Sequence, residues 1–215
     1  MELGGAEMAR KTQISKEVIL QKGLELLIRD GYSTVNIKTL SKEIGCSTQP
    51  LVWHFGNMDG LREALAQEAL YYANQKLTPQ SENFIEAFLQ IGYAYVNMAF
   101  DEPNLFQFIY VGESKQYCRG GFSSILTDKG NAALIEGLSQ YLHADKNEVG
   151  KFVQRMIVYT HGIASLIAVG VLQGTKEEVY KMISEMGKDL LSKLNTDIDL
   201  QKILSNIIPP KGALK

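Results

Sequence analysis

Thr48, Gln49, Pro50, Trp53 and His54 fall within seven residues, and none of them carries a fixed charge. Together they offer an amide, a hydroxyl, an indole N–H, an imidazole and two small apolar surfaces. A glutamine can pair in bidentate fashion with an adenine edge. A proline ring or a threonine methyl can meet a thymine methyl, and each good contact of this kind discriminates by roughly 1–3 kcal/mol. The indole adds a donor. Side chains of this sort read base-pair edges in a DNA groove, provided that a scaffold projects them outward together.

The surrounding residues predict that scaffold. Ile37, Leu40 and Ile44 repeat at three- and four-residue steps, which turns one apolar stripe inward and leaves Lys38, Lys42 and Glu43 in water. Gly45 is expected to stop this helix and Ser47 to cap the next, so the turn reads Gly45-Cys46-Ser47. The second helix should run from Thr48 to about Phe55, with Leu51 and Phe55 facing inward and Pro50 in the first turn, where its missing N–H costs nothing. Two short helices about a three-residue turn make a helix-turn-helix. Upstream, Ser15 caps a helix with Val18, Ile19, Leu24, Leu27 and Ile28 in its stripe, ending at Asp30-Gly31. Downstream, Asn57 caps a fourth with Leu61, Ala64, Leu65, Ala69 and Tyr72. Thr34, Asn36 and Lys38 stand at the start of the first helix of the pair, where backbone N–H groups attract a phosphate, although Asn36 serves equally well as an ordinary cap.

The run Thr34, Ile37, Leu40, Gly45, Ser47, Leu51, Trp53, His54, Phe55 and Leu61 resembles the TetR family of bacterial transcriptional repressors, in register and without a gap. The resemblance covers roughly residues 12–73. It implies that Thr48, Gln49 and Pro50 lie nearest the base edges, with Trp53 and His54 on the sugar–phosphate backbone. Other readings stand beside those roles: a half-buried packing aromatic for Trp53 and a capping imidazole for His54. The chain departs from the family pattern at Val52, where many members have tyrosine, and at Met58, where many have a phosphate-contacting lysine. The docking mode carries over, and those two individual contacts stay open.

The chain of 215 residues has a net charge of −2, unevenly spread. Residues 10–62 hold eight basic and five acidic side chains, whereas residues 63–215 hold fourteen and seventeen. A weakly basic module on an acidic body suits a protein that binds particular duplexes without adhering to all of them. Arg10 and Lys11 read either as an arm toward a groove or as a solvated terminus. Two cysteines, Cys46 and Cys118, lie far apart without metal-ligand spacing, so no disulfide framework, metal site or cofactor is expected, and a reducing cytoplasm fits. With Glu2 and Glu7 and no apolar run, the amino terminus does not read as a secretory signal. Only three histidines occur, with no Glu-x-x-His pair, no Gly-x-Ser-x-Gly elbow and no phosphate-cradling loop, so the chain is not expected to be an enzyme.

Beyond a break at Thr78-Pro79-Gln80-Ser81 the pattern stays helical. Phe84, Phe88, Ile91 and Tyr95 predict one stripe, a short helix runs from Asp101-Glu102-Pro103 through Tyr110, and another runs from Gly120-Gly121 to about His143. A helix from Asp145 or Asn147 is expected to reach Gly174, and Thr175 caps the last. Residues 156–175 lack Asp, Glu, Lys and Arg, yet Thr160, His161, Ser165, Gln173 and three glycines make them a poor membrane span. They read instead as a surface buried against a second copy, with Gly162, Ser165 and Val169 joined by Val179, Met182 and Met186 of the final helix; the resemblance implies the same four-helix dimer interface. Ten of the nineteen aromatic residues fall between Phe84 and Phe122, and no Lys or Arg occurs from Leu77 to Ser114. They read either as core packing or as an effector pocket for a small apolar or aromatic molecule, lined by Tyr93, Phe106, Tyr110, Tyr159 and His161. A satisfied core histidine remains the other reading of His161.

The expectation is therefore an all-α protein with a helix-turn-helix DNA-binding domain at 12–73, a larger helical effector-binding and dimerisation domain at 78–195, and a tail at 196–215 that is expected to be disordered from Pro209-Pro210 on. Its expected function is that of a ligand-responsive regulator that binds a palindromic double-stranded operator as a homodimer and is released by a small organic effector. The alternative is a helical small-molecule-binding protein or adaptor that has lost DNA binding.

Overall fold

The computed structural model describes residues 14–112 and 129–199. They form helices α1 (Lys16–Asp30), α2 (Ile37–Ile44), α3 (Gln49–Phe55), α4 (Met58–Lys76), α5 (Phe84–Asp101), α6 (Pro103–Phe106), α7 (Lys129–Leu142), α8 (Lys146–Ala168) and α9 (Lys176–Leu191). A single 3-10 turn, Tyr32–Thr34, follows α1, and α6 widens into a π-helical turn, Gln107–Val111. Among the described residues there is no strand, and the protein is all-α. The expected arm at Arg10 and Lys11, the helix start at Gly120-Gly121 and most of the tail lie outside the described residues.

Most helix starts use the cap that the sequence predicts. The hydroxyl of Ser15 accepts from the Val18 N–H at 3.3 Å, and the Asn57 side chain accepts from the N–H groups of Asp59 and Gly60 at 2.9 and 3.0 Å. Asp145 does the same for Asn147 and Glu148. Thr175 and Glu178 form a reciprocal capping box. Each such cap is worth about 1 kcal/mol.

Three expectations about helix ends and stripes are corrected, and a fourth follows from the packing. Helix α3 begins at Gln49, with Thr48 in the cap position and no side-chain cap bond, so the turn is one residue longer and Ser47 is not the cap. Pro50, three residues after Ser47, has no N–H, which removes one of the two groups that a serine cap there could bond. Helix α8 ends at Ala168 instead of running to Gly174. Gly170 takes φ +75°, and the N–H groups of Val171 and Leu172 turn back onto the Leu166 carbonyl at 2.9 and 3.0 Å. Helix α5 has no single stripe: Ile85, Ala87, Tyr93, Tyr95, Val96, Met98 and Ala99 are buried, whereas Phe84 is 41% exposed with its ring against Gly137 of α7. It is the central helix and packs against α6, α7, α8 and α9, so several of its faces are covered.

The apolar interior divides in two. Ile19, Leu40, Leu51, Phe55 and Leu61 form a small cluster under the helix-turn-helix. Leu24, Leu26 and Leu27 of α1 and Leu65, Ala66, Ala69 and Ala73 of α4 belong instead to the large interior of the body. The outer face of α8 stays open, with Val158, Leu166 and Val169 about half exposed, and Met182 of α9 is 39% exposed. Val179 points the other way, 2% exposed in the interior with Tyr180 and Ile183, so its expected place at an outer contact face is corrected. Among the described residues no helix is long and apolar enough to cross a membrane.

Gly60 sets how closely α3 and α4 approach, because a Cβ there would lie 2.1 Å from the Phe55 carbonyl oxygen. Glycine to alanine in a helix ordinarily stabilises by about 1 kcal/mol. Gly60→Ala should instead destabilise by about 1–3 kcal/mol, the usual cost of overpacking, and lower the thermal midpoint. An unchanged or raised midpoint would contradict this packing.

Candidate DNA-binding surface and aromatic cluster

Helix α2 closes on Gly45, whose φ of +75° is the left-handed conformation that glycine adopts without strain. The Gly45 N–H donates to the Lys42 carbonyl at 3.1 Å and the Cys46 N–H to Ser41 at 2.9 Å, which turns the chain sharply into α3. Leu51 and Phe55 anchor α3 inward, leaving Thr48, Gln49, Val52 and Trp53 exposed on the opposite side. Trp53 is 68% exposed, and its ring meets His54 edge-on at 4.5 Å between centroids. Ser47 is exposed and Pro50 half-buried.

His54 is turned away from this group: its Nε2 donates to the Ile14 carbonyl at 2.8 Å, ahead of α1. Asn36 accepts from the Thr39 N–H at 2.9 Å as the cap of α2 and donates to the Thr34 carbonyl at 3.2 Å, so both ends of its amide are engaged within the protein. The Thr34 hydroxyl donates to the Gly31 carbonyl at 2.7 Å. Among the basic residues of this module, Arg29 is held by Asp30 and Glu43 at 2.8 Å each, and these hydrogen bonds push its guanidinium further up. Arg62 pairs with Asp59 and lies over the Tyr32 ring. Lys38 and Lys42 are exposed and form no ion pair among the described residues.

In the body the structure brings together Phe106, Tyr110 and His161 of the five expected pocket residues, and adds Tyr95. Ring centroids lie 5.0 Å apart for Tyr95 and Phe106, 4.9 Å for Tyr95 and Tyr110, and 5.1 Å for Phe106 and Tyr110, with Phe106 stacked on His161 at 6.3 Å. The Tyr95 hydroxyl bonds His161 Nδ1 at 2.8 Å, and His161 Nε2 reaches the Ser165 hydroxyl at 3.3 Å. A polar chain therefore runs from the aromatic interior to a residue beside Gly162 and Leu166 on the open side of α8.

Tyr93 is not part of this cluster. It bonds Ser184 at 2.9 Å and packs on Tyr180 at 4.6 Å, and Tyr180 in turn donates to Asn97. Two residues along a helix is about 200°, so Tyr93 and Tyr95 face opposite sides of α5, and one expected pocket becomes two polar–aromatic groups. Tyr159 is half-buried at the edge of the interior. Sequence spacing groups Tyr95 with an apolar stripe, and its hydroxyl partner 66 residues away leaves no sequence signal.

A short, outward, uncharged helix on a helical body defines a helix-turn-helix protein. Residues 19–65 match the family described as "Bacterial regulatory proteins, tetR family". The likeness to that family covers the amino-terminal helices, from within α1 into α4. The tetracycline repressor protein class C of Escherichia coli is 28% identical over 78 residues, which span 36% of this chain and 36% of that repressor. Solved structures share the fold. A TetR-like transcriptional regulator from Rhodococcus sp. RHA1 is 12% identical with a TM-score of 0.57, covering 84% of this chain and 99% of that one. A TetR variant from Acinetobacter baumannii AYE in complex with minocycline is 14% identical with a TM-score of 0.51, covering 83% and 95%.

Burial pushes the His161 imidazole below its ordinary value and the Tyr95 phenol well above its own. The unfolded chain therefore takes up the His161 proton before the folded one does. Its stabilising effect is complete above about pH 6.5 and is lost as pH falls below that value. Thermal midpoints should drop across this range, and His161→Gln should flatten the drop. Tyr95→Phe should cost about 1 kcal/mol at neutral pH, because it removes a buried hydrogen-bond partner. Identical midpoints for Tyr95→Phe and wild type would rule out the bond.

Proposed function

We propose that the chain is a ligand-responsive transcriptional regulator that binds a palindromic operator as a homodimer and is released by a small organic effector. The observation that carries the reading is the exposed face of α3. Thr48, Gln49, Val52 and Trp53 stand outward without a charged neighbour on the helix, inside the stretch that matches the family. Thr48, Gln49 and Pro50 are assigned to base edges and Trp53 to the backbone, with Lys38 and the start of α2 near phosphate. The module at 12–73 reads DNA, and the body at 78–195 binds effector and partner.

The open face of α8, continued by Met182 and Met186 of α9, supports pairing with a second copy through Gly162, Ser165, Leu166 and Val169. A two-fold axis would set the reading helices about 34–36 Å apart, one turn of duplex. For the effector, Tyr95, Phe106, Tyr110 and His161 support a neutral, flat molecule, since that stretch lacks a cation. The minocycline bound to the A. baumannii protein is an instance of a multi-ring ligand on this fold.

The lever is the joint between α4 and α6. Glu102 accepts from Tyr72 and Lys76 of α4 at 2.7 Å each, Asn104 donates to the last carbonyls of α1 at 3.0 and 3.3 Å, and Phe108 packs on Tyr32 at 4.8 Å. Phe106 and Tyr110 of the same segment touch the aromatic cluster. A ligand that favours one arrangement of this segment would shift α4 and the spacing of the reading helices; equal affinity for both arrangements would shift nothing.

Selection from random duplexes should return a palindrome with half-sites one turn apart. Gln49→Ala and Trp53→Ala should abolish its retention while size-exclusion chromatography still shows a dimer. Retention undiminished in both variants would refute the assignment, and a wild-type chain that selects no sequence would favour the adaptor reading. Glu102→Ala should narrow the gap between effector-free and effector-bound DNA affinity, measured by fluorescence anisotropy.

A further inference from the structure

We propose that Val52 is a specificity-determining residue, whose methyl groups meet the C5-methyl of a thymine one base-pair step from the pair that Gln49 reads. The inference rests on the DNA-binding reading above and deepens it. Val52 is 46% exposed and belongs to neither apolar interior. Its N–H donates to the Thr48 carbonyl at 3.1 Å, and its carbonyl accepts from the Gly56 N–H at 2.8 Å. The backbone of Val52 is thus committed to the helix, and only the side chain can act on a ligand. An isopropyl group neither donates nor accepts, so a phosphate oxygen gains nothing from it.

Position decides what it meets. At 3.6 residues per turn, Val52 lies about 60° around the α3 axis from Gln49 and about 40° from Thr48, on the flank away from Pro50 and His54. Thr48, Gln49 and Val52 are all exposed, so a methyl, an amide and an isopropyl group form one outward surface. The Trp53 ring packs edge-on against His54 at 4.5 Å, on the other flank, and leaves this surface uncovered. Val52 stands about 4.5 Å along the axis from Gln49, close to the rise of about 3.4 Å between successive bases on a strand. Of the four major-groove edges only thymine carries a methyl group, whereas adenine, guanine and cytosine present donors and acceptors. When two methyl surfaces meet, water leaves both. A polar edge covered by valine would lose its bonds to water without replacement, so the same contact favours thymine and disfavours the other bases.

The test replaces each thymine of the wild-type-selected duplex in turn by deoxyuridine, which removes the methyl group and nothing else, at matching positions of both half-sites. Full-length wild type, Val52→Ala and Gln49→Ala are titrated against each duplex. At one position, next to the pair whose identity Gln49→Ala ceases to discriminate, wild type should lose about fourfold per half-site, the worth of one buried methyl group. Val52→Ala should bind the parent duplex more weakly and show no loss at that position, while its sensitivity at other thymines stays as in wild type. Its dependence of log K on log salt should keep the wild-type slope, because no phosphate contact is removed. The deoxyuridine series on wild type needs no variant, so it decides the methyl contact whether or not Val52→Ala folds. Indifference of wild type to every deoxyuridine, equal losses for wild type and Val52→Ala, or a salt slope shallower by about 0.9 in Val52→Ala would overturn the proposal and leave the DNA-binding reading intact. A wild-type chain that selects no duplex would instead sink that reading and this inference with it.

Discussion

Ile19 and Leu27 lie about two turns apart on α1 and are both fully buried, yet they sit in different apolar interiors. Leu61 and Leu65 repeat the division on α4, one turn apart. Each such leucine or isoleucine contributes about 1.5–3 kcal/mol on burial, so neither helix can leave one interior without disturbing its seat in the other. The helix-turn-helix therefore has no hinge of its own at residue 73. Its orientation is inherited from the body, which is the condition for any event in the body to be felt at α3.

Within the module, the distribution of charge follows the same division of labour. Arg29 is spent on Asp30 and Glu43, bracing α1 against α2. The side chains that project from α3 are uncharged, and the exposed cations Lys38 and Lys42 stand on the neighbouring helix. On the proposed reading, affinity from phosphates and discrimination from base edges would fall to different helices, so that one could be tuned without changing the other.

The segment from Glu102 to Val111 touches nearly everything of consequence. Glu102, Asn104 and Phe108 bond or pack against α4, the end of α1 and Tyr32, and Phe106 and Tyr110 join Tyr95 and His161. Gln107 donates to the Ala168 carbonyl at 2.6 Å and secures the end of α8. The Oε2 atom of Glu102 is buried without a hydrogen-bond partner among the described residues, a cost that the two bonds to its other oxygen offset.

Much of the fold was legible from the chain because its signals are local. Ser15, Asn36, Asn57, Asp145 and Thr175 each bond N–H groups two or three residues ahead, and Gly45 ends α2 by a preference of its own backbone. The candidate reading face was legible for the same reason: once Leu51 and Phe55 point inward, helical geometry turns Gln49 and Trp53 outward. The helix end at Ala168, the inward side of Val179 and the encircled α5 were not legible, because apolar periodicity does not say how many neighbours a helix has. Nor were the bonds from His54 to Ile14, from Tyr95 to His161 and from Glu102 to Tyr72, which span 40, 66 and 30 residues. The amino-acid order alone determined helix type, most caps and the outward face of α3, since these depend on interactions within one turn. Only the tertiary structure decided which polar groups meet, because those distances depend on how whole helices pack.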